Sequence, residues 1–403
     1  MPNVVDYVSR EFRGFSELPF GPVDSLVLSE LSYMHMPIMV PRFGARRRGV
    51  RFVPLARLMR AEDYPSMFAN NSERSAAYRL ALLRAVCESP RFRGIRVGEY
   101  QEILDVDRQQ QFAAVTFDLS RCGGLCEAGE DGMRSGSLYV AFRGTDDTLV
   151  GWKEDLNMAF RCPVPSQRAA VDYLRSVMVR SARGMPRVTG RRTGDGGGPV
   201  PAPRVMVGGH SKGGNMAVYA AMRMADSGQD DRIAHVFSHD GPGFPPDVVN
   251  GDSYAAIVSR ISKTVPEFSV VGMLLDDTPD YVVVRSDAVN VLQHIGRTWQ
   301  VAADGGFVAG DGLNPTAVAV GRVIDGWLDV VPPDRRELFI DQVYGVFAAA
   351  GYDRLPDLVS HWAEALPRIM AAVRNMDRST RALVIDAFGA LPASAVRLIG
   401  RDA

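Results

Sequence analysis

The spacing of apolar residues predicts helices at both ends of the chain. In the first hundred residues, "DSLVLSELSYMHM" and "ERSAAYRLALLRAVCES" place apolar residues on one face of a helix. From about residue 313 onward, helical spacing returns in "AVAVGRVIDGWLDVV", "RRELFIDQVYGVFAAAG", "LPDLVSHWAEALPRIMAAV" and "STRALVIDAFGAL". No strand pattern interrupts these last four segments, so the C-terminal part is predicted to be entirely helical.

The middle of the chain alternates between two patterns. Short runs of β-branched and aromatic residues predict the strands "FAAVTFDL", "SLYVAFRG", "RVMVGG", "IAHVFSHD", "FSVVGMLL" and "YVVVRSD". Helical spacing lies between them in "TLVGWKEDLNMAF", "SQRAAVDYLRSVMVRSA", "NMAVYAAMRMAD" and "SYAAIVSRIS". Alternating strands and helices indicate an α/β fold, with a mostly parallel sheet covered by helices on both faces.

These patterns predict three regions. Residues 1–110 form an N-terminal helical region that leads into the core, residues 111–305 form the α/β core, and residues 313–403 form a helical appendage or cap. The segment "GRRTGDGGGPVPAP" at residues 190–203 predicts a surface loop, because it is rich in glycine and proline and has little apolar surface to bury.

Composition narrows the classes of partner. The net charge of -1 gives no indication of binding to nucleic acid or to an anionic membrane surface. No run approaches the roughly 18 apolar residues of a membrane span, and the first residues lack the apolar core of a signal peptide. We therefore expect a cytoplasmic protein without an integral membrane segment. The composition leaves the oligomeric state open.

The four cysteines are too few for a disulfide framework in 403 residues. The segment "CGGLC", from Cys122 to Cys126, does not have CxxC spacing and has no second pair to complete a metal site. We expect reduced thiols, no metal and no cofactor.

The segment "GGHSKGGN" at residues 208–215 carries the candidate chemistry. Ser211 stands between Gly209 and Gly213, after the strand pattern "RVMV" and before a helix pattern. A strand, G-x-S-x-G and a helix together predict a nucleophile elbow, whose sharp turn exposes the serine hydroxyl at the helix N-terminus. Glycine-rich turns of this kind also bind phosphate, so the interpretation depends on partners elsewhere in the chain.

A serine that attacks an acyl group needs a histidine base and an acid that orients it, in the chain order Ser, acid, His. His294 is the predicted base, because it lies in a loop directly after the last predicted strand. Supporting or packing roles are predicted for His210, His239 and His361.

Two positions compete for the acid. Asp240 ends the predicted strand "AHVFSHD", where it could instead brace the following Gly-Pro turn. Asp276 ends "FSVVGMLLD", the commoner place for the acid in this kind of sheet, and Asp277 adjoins it. The pattern favours Asp276 slightly and leaves both candidates open.

The negatively charged intermediate of acyl transfer needs preorganised hydrogen-bond donors. The backbone N–H of Lys212, directly after the serine, is one candidate. Thr145 in "SLYVAFRGTDD" offers a second N–H and a hydroxyl, although it could also be an ordinary helix N-cap. The ammonium group of Lys212 either favours an anionic substrate or is solvated.

The motifs together resemble a known group. "AFRGTD" followed by "GGHSKGGN" resembles the fungal-type lipases of the α/β-hydrolase superfamily, whose loop of Phe-Arg-Gly followed by Ser or Thr contributes an oxyanion donor. The larger set that includes "DGPGF", "VGMLLDD" and "QHIGRTW" is similar to the bacterial, lipase-like Mbeg-like family, over approximately residues 20–305.

This resemblance implies the α/β-hydrolase fold and a triad of Ser211, an aspartate and His294, with Thr145 and Lys212 at the oxyanion hole. Lysine stands where lipases usually have leucine or tyrosine, so the resemblance does not extend to lipid specificity.

The sequence therefore predicts a serine hydrolase, esterase-like or lipase-like, that cleaves a small-molecule or lipid-like carboxylic ester through an acyl-enzyme. A thioesterase or amidase would use the same triad. A binding or scaffold protein that keeps the fold without turnover is the alternative, because the C-terminal helices offer a partner surface as readily as a lid.

Overall fold

The core of the protein is one mostly parallel sheet. A computed structural model describes residues 2–44, 46–69, 71–122, 138–183, 204–275, 280–330, 332–374, 376 and 381. Within these ranges the sheet has eight strands in chain order: β1 (Phe52–Pro54), β2 (Arg96–Asp105), β3 (Gln110–Asp118), β4 (Leu138–Phe142), β5 (Val205–His210), β6 (Ile233–His239), β7 (Ile261–Pro266) and β8 (Val282–Val284). Strands β1 to β4 pair antiparallel, and β4 to β8 pair in parallel. The predicted α/β class is confirmed.

Helices precede, connect and follow these strands. Their bounds are α1 (Val4–Arg10), α2 (Pro22–Leu31), α3 (Tyr64–Met67), α4 (Glu73–Glu88), α5 (Leu149–Asn157), α6 (Pro165–Arg183), α7 (Lys212–Ala225), α8 (Pro246–Val249), α9 (Asp252–Ala255), α10 (Pro315–Val330), α11 (Pro333–Ala348), α12 (Leu355–Ser360) and α13 (Trp362–Arg374). None of the helices in the described part of the chain is long and apolar enough to cross a bilayer.

Strand alternation builds a core on each face of the sheet. In β4, Tyr139 and Ala141 belong to the apolar cluster that contains residues of α1, α2 and α4. Leu138, Val140 and Phe142 belong to the opposite cluster, which contains residues of α6 and α7. Successive side chains of a strand point to opposite faces, so a strand that is apolar throughout is buried on both. The expected helical cover on both faces of the sheet is therefore confirmed.

Two predictions about the strands are wrong. The run "FSVVGMLL" forms a 3₁₀ turn at Val271–Met273 instead of a strand, because an apolar run this short fits a buried turn as well as a buried strand. The strand beside β6 is β7, whose first two residues end the segment "SYAAIVSRIS" that we predicted as a helix. In addition, β1 and β2 lie in a region for which only helices were predicted.

The C-terminal helices are present and pack against the core close to β4. Helices α11 to α13 share a small apolar cluster of their own. The buried Lys153 of α5 forms an ion pair with Asp341 of α11, and Arg161 reaches Glu337 at 2.8 Å. The predicted loop at residues 190–203 and, apart from Arg381, the predicted helix "STRALVIDAFGAL" lie outside the described residues. The division into three regions stays a prediction.

Candidate active site

Ser211 lies on a sharp turn between β5 and α7. Its backbone has φ 58° and ψ −132°, a left-handed conformation that a non-glycine residue adopts at a cost. The turn is held by the Ser211 N–H, which donates to the carbonyl of His239 at 2.8 Å. The side chain is partly exposed while the preceding strand is fully buried. This is the strained, exposed serine that the elbow motif predicts.

The two motif glycines are required by close packing. A Cβ atom at Gly209 would lie 2.4 Å from the carbonyl carbon of Gly213. A Cβ atom at Gly213 would lie 2.1 Å from the carbonyl oxygen of Phe142, at the end of β4. Side chains at these positions would force α7 away from the strands, so the glycines allow the tight turn that presents Ser211.

His294 is paired with Asp240, 54 residues away in sequence. The distance between His294 Nδ1 and Asp240 Oδ2 is 2.6 Å, and since a carboxylate only accepts, Nδ1 is the donor. Asp240 is fully buried, and its other oxygen accepts from Ser269 Oγ at 2.5 Å. A neutral imidazole that is protonated at Nδ1 has an unprotonated Nε2, which is the form a general base requires.

The histidine that precedes the serine holds the loop of His294. The His210 Nε2 atom lies 2.6 Å from the His294 carbonyl oxygen, and the centroids of the two rings are 4.7 Å apart. Burial lowers the pKa of His210 to about 3, so its ring is neutral near pH 7. Because Nε2 donates to the carbonyl, Nδ1 accepts from the Tyr33 hydroxyl at 3.1 Å. The elbow and the loop of His294 are thus joined directly.

The loop after β4 adjoins the serine on another side. A Cβ atom at Gly144 would lie 3.2 Å from the Cβ of Ser211, so the backbone of Gly144 is in close contact with the elbow. Thr145 is the next residue along this loop. The hydroxyl of Thr145 donates to the carboxylate of Asp155 on α5. The N–H of Lys212 is at the first position of α7, where the helix offers it no acceptor. The backbone N–H groups of Thr145 and Lys212 are therefore the candidate donors beside Ser211.

The side chain of Lys212 is buried, so the alternative that its ammonium group is solvated is wrong. It is 1% exposed, and Nζ lies 3.2 Å from Glu154 Oε2 and 3.3 Å from Asp155 Oδ1. Nζ also donates to the side-chain oxygen of Gln111 at 2.9 Å. Burial acts to lower the pKa of Lys212, but the carboxylates of Asp155 and Glu154 outweigh it and the net shift is upward. Lys212 therefore stays protonated near the loop that carries Thr145.

The remaining predicted residues lie elsewhere. His239 is fully buried between Ser25 at 2.9 Å and Thr264 at 2.7 Å, and burial lowers its pKa to about 3. His361 lies between α12 and α13, where Nδ1 contacts the carbonyl of Asp357 at 2.9 Å. The Asp276 and Asp277 candidates fall outside the described residues.

Sequence reasoning missed the partners Asp155, Glu154 and Ser269. The adjacent acids in "WKEDLNM" were a usable signal, because two neighbouring carboxylates on a half-buried helix need a cation. Nothing in the sequence marked Ser269. Among the described residues, no group of three or more histidine, cysteine or acidic side chains is arranged to hold a metal ion.

Comparison with known proteins places the chain in a family. The family model described as Mbeg1-like matches residues 86–345, which is more than half of the 403 residues. A search of curated proteins finds no match.

Among solved structures, the chain is similar to a lipase from Rhizopus microsporus var. chinensis, with 16% identity over 71% of this chain and 90% of that one and a TM-score of 0.33. It is also similar to M37 lipase, with 11% identity over 75% and 78% of the two chains and a TM-score of 0.32. Lipase II from Rhizopus niveus shows 16% identity over 59% and 82%, with a TM-score of 0.30. Likenesses at this level say nothing about the chemistry of this chain.

Proposed function

We propose that this chain, which belongs to the Mbeg1-like family and has a lipase-like α/β-hydrolase fold, is a serine hydrolase that cleaves a carboxylic ester. The observation that carries the proposal is the 2.6 Å hydrogen bond between His294 Nδ1 and Asp240, next to a serine in a strained elbow. An exposed serine, an oriented imidazole and free backbone donors are the parts that acyl transfer requires.

In the proposed reaction, Ser211 Oγ attacks the ester carbonyl while His294 Nε2 takes the hydroxyl proton. The carbonyl oxygen becomes an oxyanion that accepts hydrogen bonds from the backbone N–H groups of Thr145 and Lys212. His294 then returns the proton to the departing alcohol as the carbon–oxygen bond breaks, which leaves an acyl-enzyme. Water, deprotonated by the same imidazole, releases the carboxylic acid and restores Ser211.

We assign the acid of the triad to Asp240, although the strand pattern slightly favoured Asp276. Asp240 follows β6, and its N–H donates to the carbonyl of Thr264 on β7 at 2.7 Å. Its buried carboxylate can stabilise the imidazolium form of His294 without accepting the proton itself.

The substrate is proposed to be a small-molecule or lipid-like ester. Thioesters and amides remain alternatives for the same triad, and a panel of aryl esters, thioesters and anilides distinguishes among them. We do not extend the lipid specificity of lipases to this chain.

Labelling with a fluorophosphonate probe tests the nucleophile. The wild-type protein should be labelled stoichiometrically, and Ser211→Ala should not be labelled. Ser227→Ala, which changes an exposed serine after α7, is the matched control and should be labelled like the wild type. Undiminished labelling of Ser211→Ala would contradict the proposal.

A further inference from the structure

A polar pocket of about 150 Å³ lies beside the oxyanion loop. Thr145 forms part of its wall, and so does Tyr33, whose hydroxyl is bonded to the elbow residue His210. A cavity of about 150 Å³ has room for a group of roughly six heavy atoms, on the scale of a benzene ring. The pocket is therefore large enough for one substituent of a substrate bound at Ser211.

The wall of this pocket does not suit a hydrocarbon chain. Apart from Tyr33 and Ala69, its lining side chains carry hydroxyl, amide, imidazole or charged groups. They include three arginines: Arg79 from α4, Arg143 directly after β4 and Arg354 directly before α12. Pockets for apolar ligands are lined mainly by apolar side chains. The chemistry of this wall favours a polar group with negative charge.

Acids already balance two of the three arginines. Arg143 lies 2.7 Å from Glu102, which also contacts His35 of the pocket wall at 3.0 Å. Arg354 lies 3.0 Å from Asp147. Asp146, the other acid of the wall, accepts from the Thr148 N–H at 3.0 Å and lies 3.7 Å from Arg143.

Arg79 is the arginine without an acid in contact. It makes no hydrogen bond or ion pair with any described residue, and its Nε is enclosed without a partner. Its guanidinium lies over the ring of Tyr33, 5.0 Å from the centroid. Burial lowers the pKa of Arg79, and the carboxylate of Glu30 opposes this shift only in part; burial also raises the pKa of Glu30. A guanidinium that is largely removed from water and not paired attracts an anion.

We propose that Arg79 binds an anionic group of the substrate, a carboxylate or a phosphate, in this pocket. The proposal rests on the proposed hydrolase function, because it names the substrate class of the same site. The planar guanidinium of Arg79 would donate two hydrogen bonds to the two oxygens of the anion. The ester would then be one whose acyl or alcohol part carries a negative charge near the reacting carbonyl.

Two aryl esters that differ only in this charge test the proposal. The probes are 4-nitrophenyl butyrate and the mono-4-nitrophenyl ester of succinic acid, which have acyl chains of equal length and the same leaving group. At low ionic strength, wild-type kcat/KM should be higher for the succinate ester. Arg79→Gln should lower the ratio of the two kcat/KM values by roughly ten-fold or more, because a charge-assisted bidentate contact is lost. Arg79→Lys should keep part of the preference.

Arg84→Gln is the matched control. Arg84 lies one and a half turns further along α4 and is exposed, so the ratio should stay at the wild-type value. A wild-type preference for the butyrate ester, or an unchanged ratio in folded Arg79→Gln, would overturn the proposal.

A binding measurement separates this proposal from the hydrolase proposal. Ser211→Ala is titrated by calorimetry with inorganic phosphate and, separately, with succinate, which distinguishes the two kinds of anion. Binding that Arg79→Gln removes supports the anion site even if no ester is cleaved and Ser211 is not labelled. The anion site is overturned if neither anion binds, or if Ser211→Ala binds an anion equally well with and without the added Arg79→Gln substitution. Fluorophosphonate labelling of the wild type still tests the nucleophile in that case.

Discussion

Ser211 lies between two groups of side chains that differ in how their buried carboxylates are paired. The base side consists of His294, Asp240 and Ser269. Its carboxylate is fully buried, and the groups bonded to it are the imidazole at 2.6 Å and a neutral hydroxyl at 2.5 Å. Among the described residues, no lysine or arginine forms an ion pair with Asp240. In the proposed reaction, the positive charge in direct contact with Asp240 is the one that His294 gains on protonation.

The oxyanion side consists of Thr145, Asp155, Lys212 and Glu154. Here a cation and two acids lie together before any reaction, because the buried Lys212 lies within 3.3 Å of both carboxylates. Glu154 is further satisfied by neutral donors, including the N–H of Ser166 at 2.8 Å. The hydroxyl of Thr145 is bonded to Asp155, so the loop and the start of α7 are tied to one ion pair.

The difference follows from what each side has to do in the proposed reaction. The base side takes up and returns a proton, so a fixed cation next to Asp240 would weaken its ability to stabilise the imidazolium. The oxyanion side only has to hold two backbone N–H groups in place, and fixed charges at fixed distances serve that purpose.

Asp240→Asn should produce the largest effect and tests the base side. The amide cannot stabilise the imidazolium and favours the wrong tautomer of His294, so kcat should fall by about 10³- to 10⁴-fold. The measurement is steady-state hydrolysis of an aryl ester, with the thermal midpoint as a check on folding. Asp247→Asn, at an acid of α8, is the control. Retention of most activity would remove Asp240 from the triad and return attention to Asp276.

Lys212→Met tests the oxyanion side and should appear mainly as a loss of stability. It leaves the fully buried Glu154 and the partly exposed Asp155 without their cation, which should lower the free energy of unfolding by roughly 3–5 kcal/mol near neutral pH. Chemical denaturation measures this loss. A decrease below about 1 kcal/mol, the value of an exposed ion pair, would show that the cluster does not stabilise the fold.

The loss in Lys212→Met should depend on pH. Burial raises the pKa of Asp155 in the folded state and the Lys212 ammonium opposes this rise, so without Lys212 the folded state holds the Asp155 proton to a higher pH, where the unfolded state has already released it. Stability contributed in this way is lost as the pH rises. The variant should therefore be closest to the wild type in mild acid and furthest from it at neutral and alkaline pH. Denaturation curves at several pH values decide this, and a difference that does not change with pH contradicts it.

Thr145→Val separates the hydroxyl from the backbone N–H. The single hydroxyl hydrogen of Thr145 is donated to Asp155, so the oxyanion contact falls to the N–H, which valine keeps. We expect kcat to fall about ten-fold through poorer positioning of the loop, less than the roughly 10²- to 10³-fold loss of a whole oxyanion donor. Thr145→Ser should stay near the wild type. A loss as large as that of a donor would mean that the hydroxyl turns to the oxyanion.

Ser269→Ala should have the smallest effect. It removes one neutral hydrogen bond to Asp240 and leaves the bond to His294 intact. Removing a partner from a buried carboxylate costs about 1–3 kcal/mol of stability, and kcat should fall only a few-fold. Activity assays with Ser227→Ala as a control measure the difference. An effect as large as that of Asp240→Asn would mean that Ser269 also orients the imidazole.

The sequence predicted the features of the fold that depend on residues close together in the chain. Patterns within about ten to twenty residues predicted the turn at Ser211 with its glycines. Such patterns also predicted strands β3 to β6 and β8 and helices α4 to α7. The order of the motifs also predicted His294 as the base. Each of these features depends on backbone geometry and on the period of apolar side chains, which a local sequence encodes.

The tertiary structure decided which distant side chains meet. Asp240 and His294 are 54 residues apart, Lys212 and Glu154 are 58 residues apart, and both pairs form because strands and helices of the core place them together. Arg79 reaches the pocket from a helix that precedes the predicted core. Whether a buried charge finds its partner depends on the packing of the whole chain, since the balance between desolvation and pairing is set by burial and distance and not by residue type.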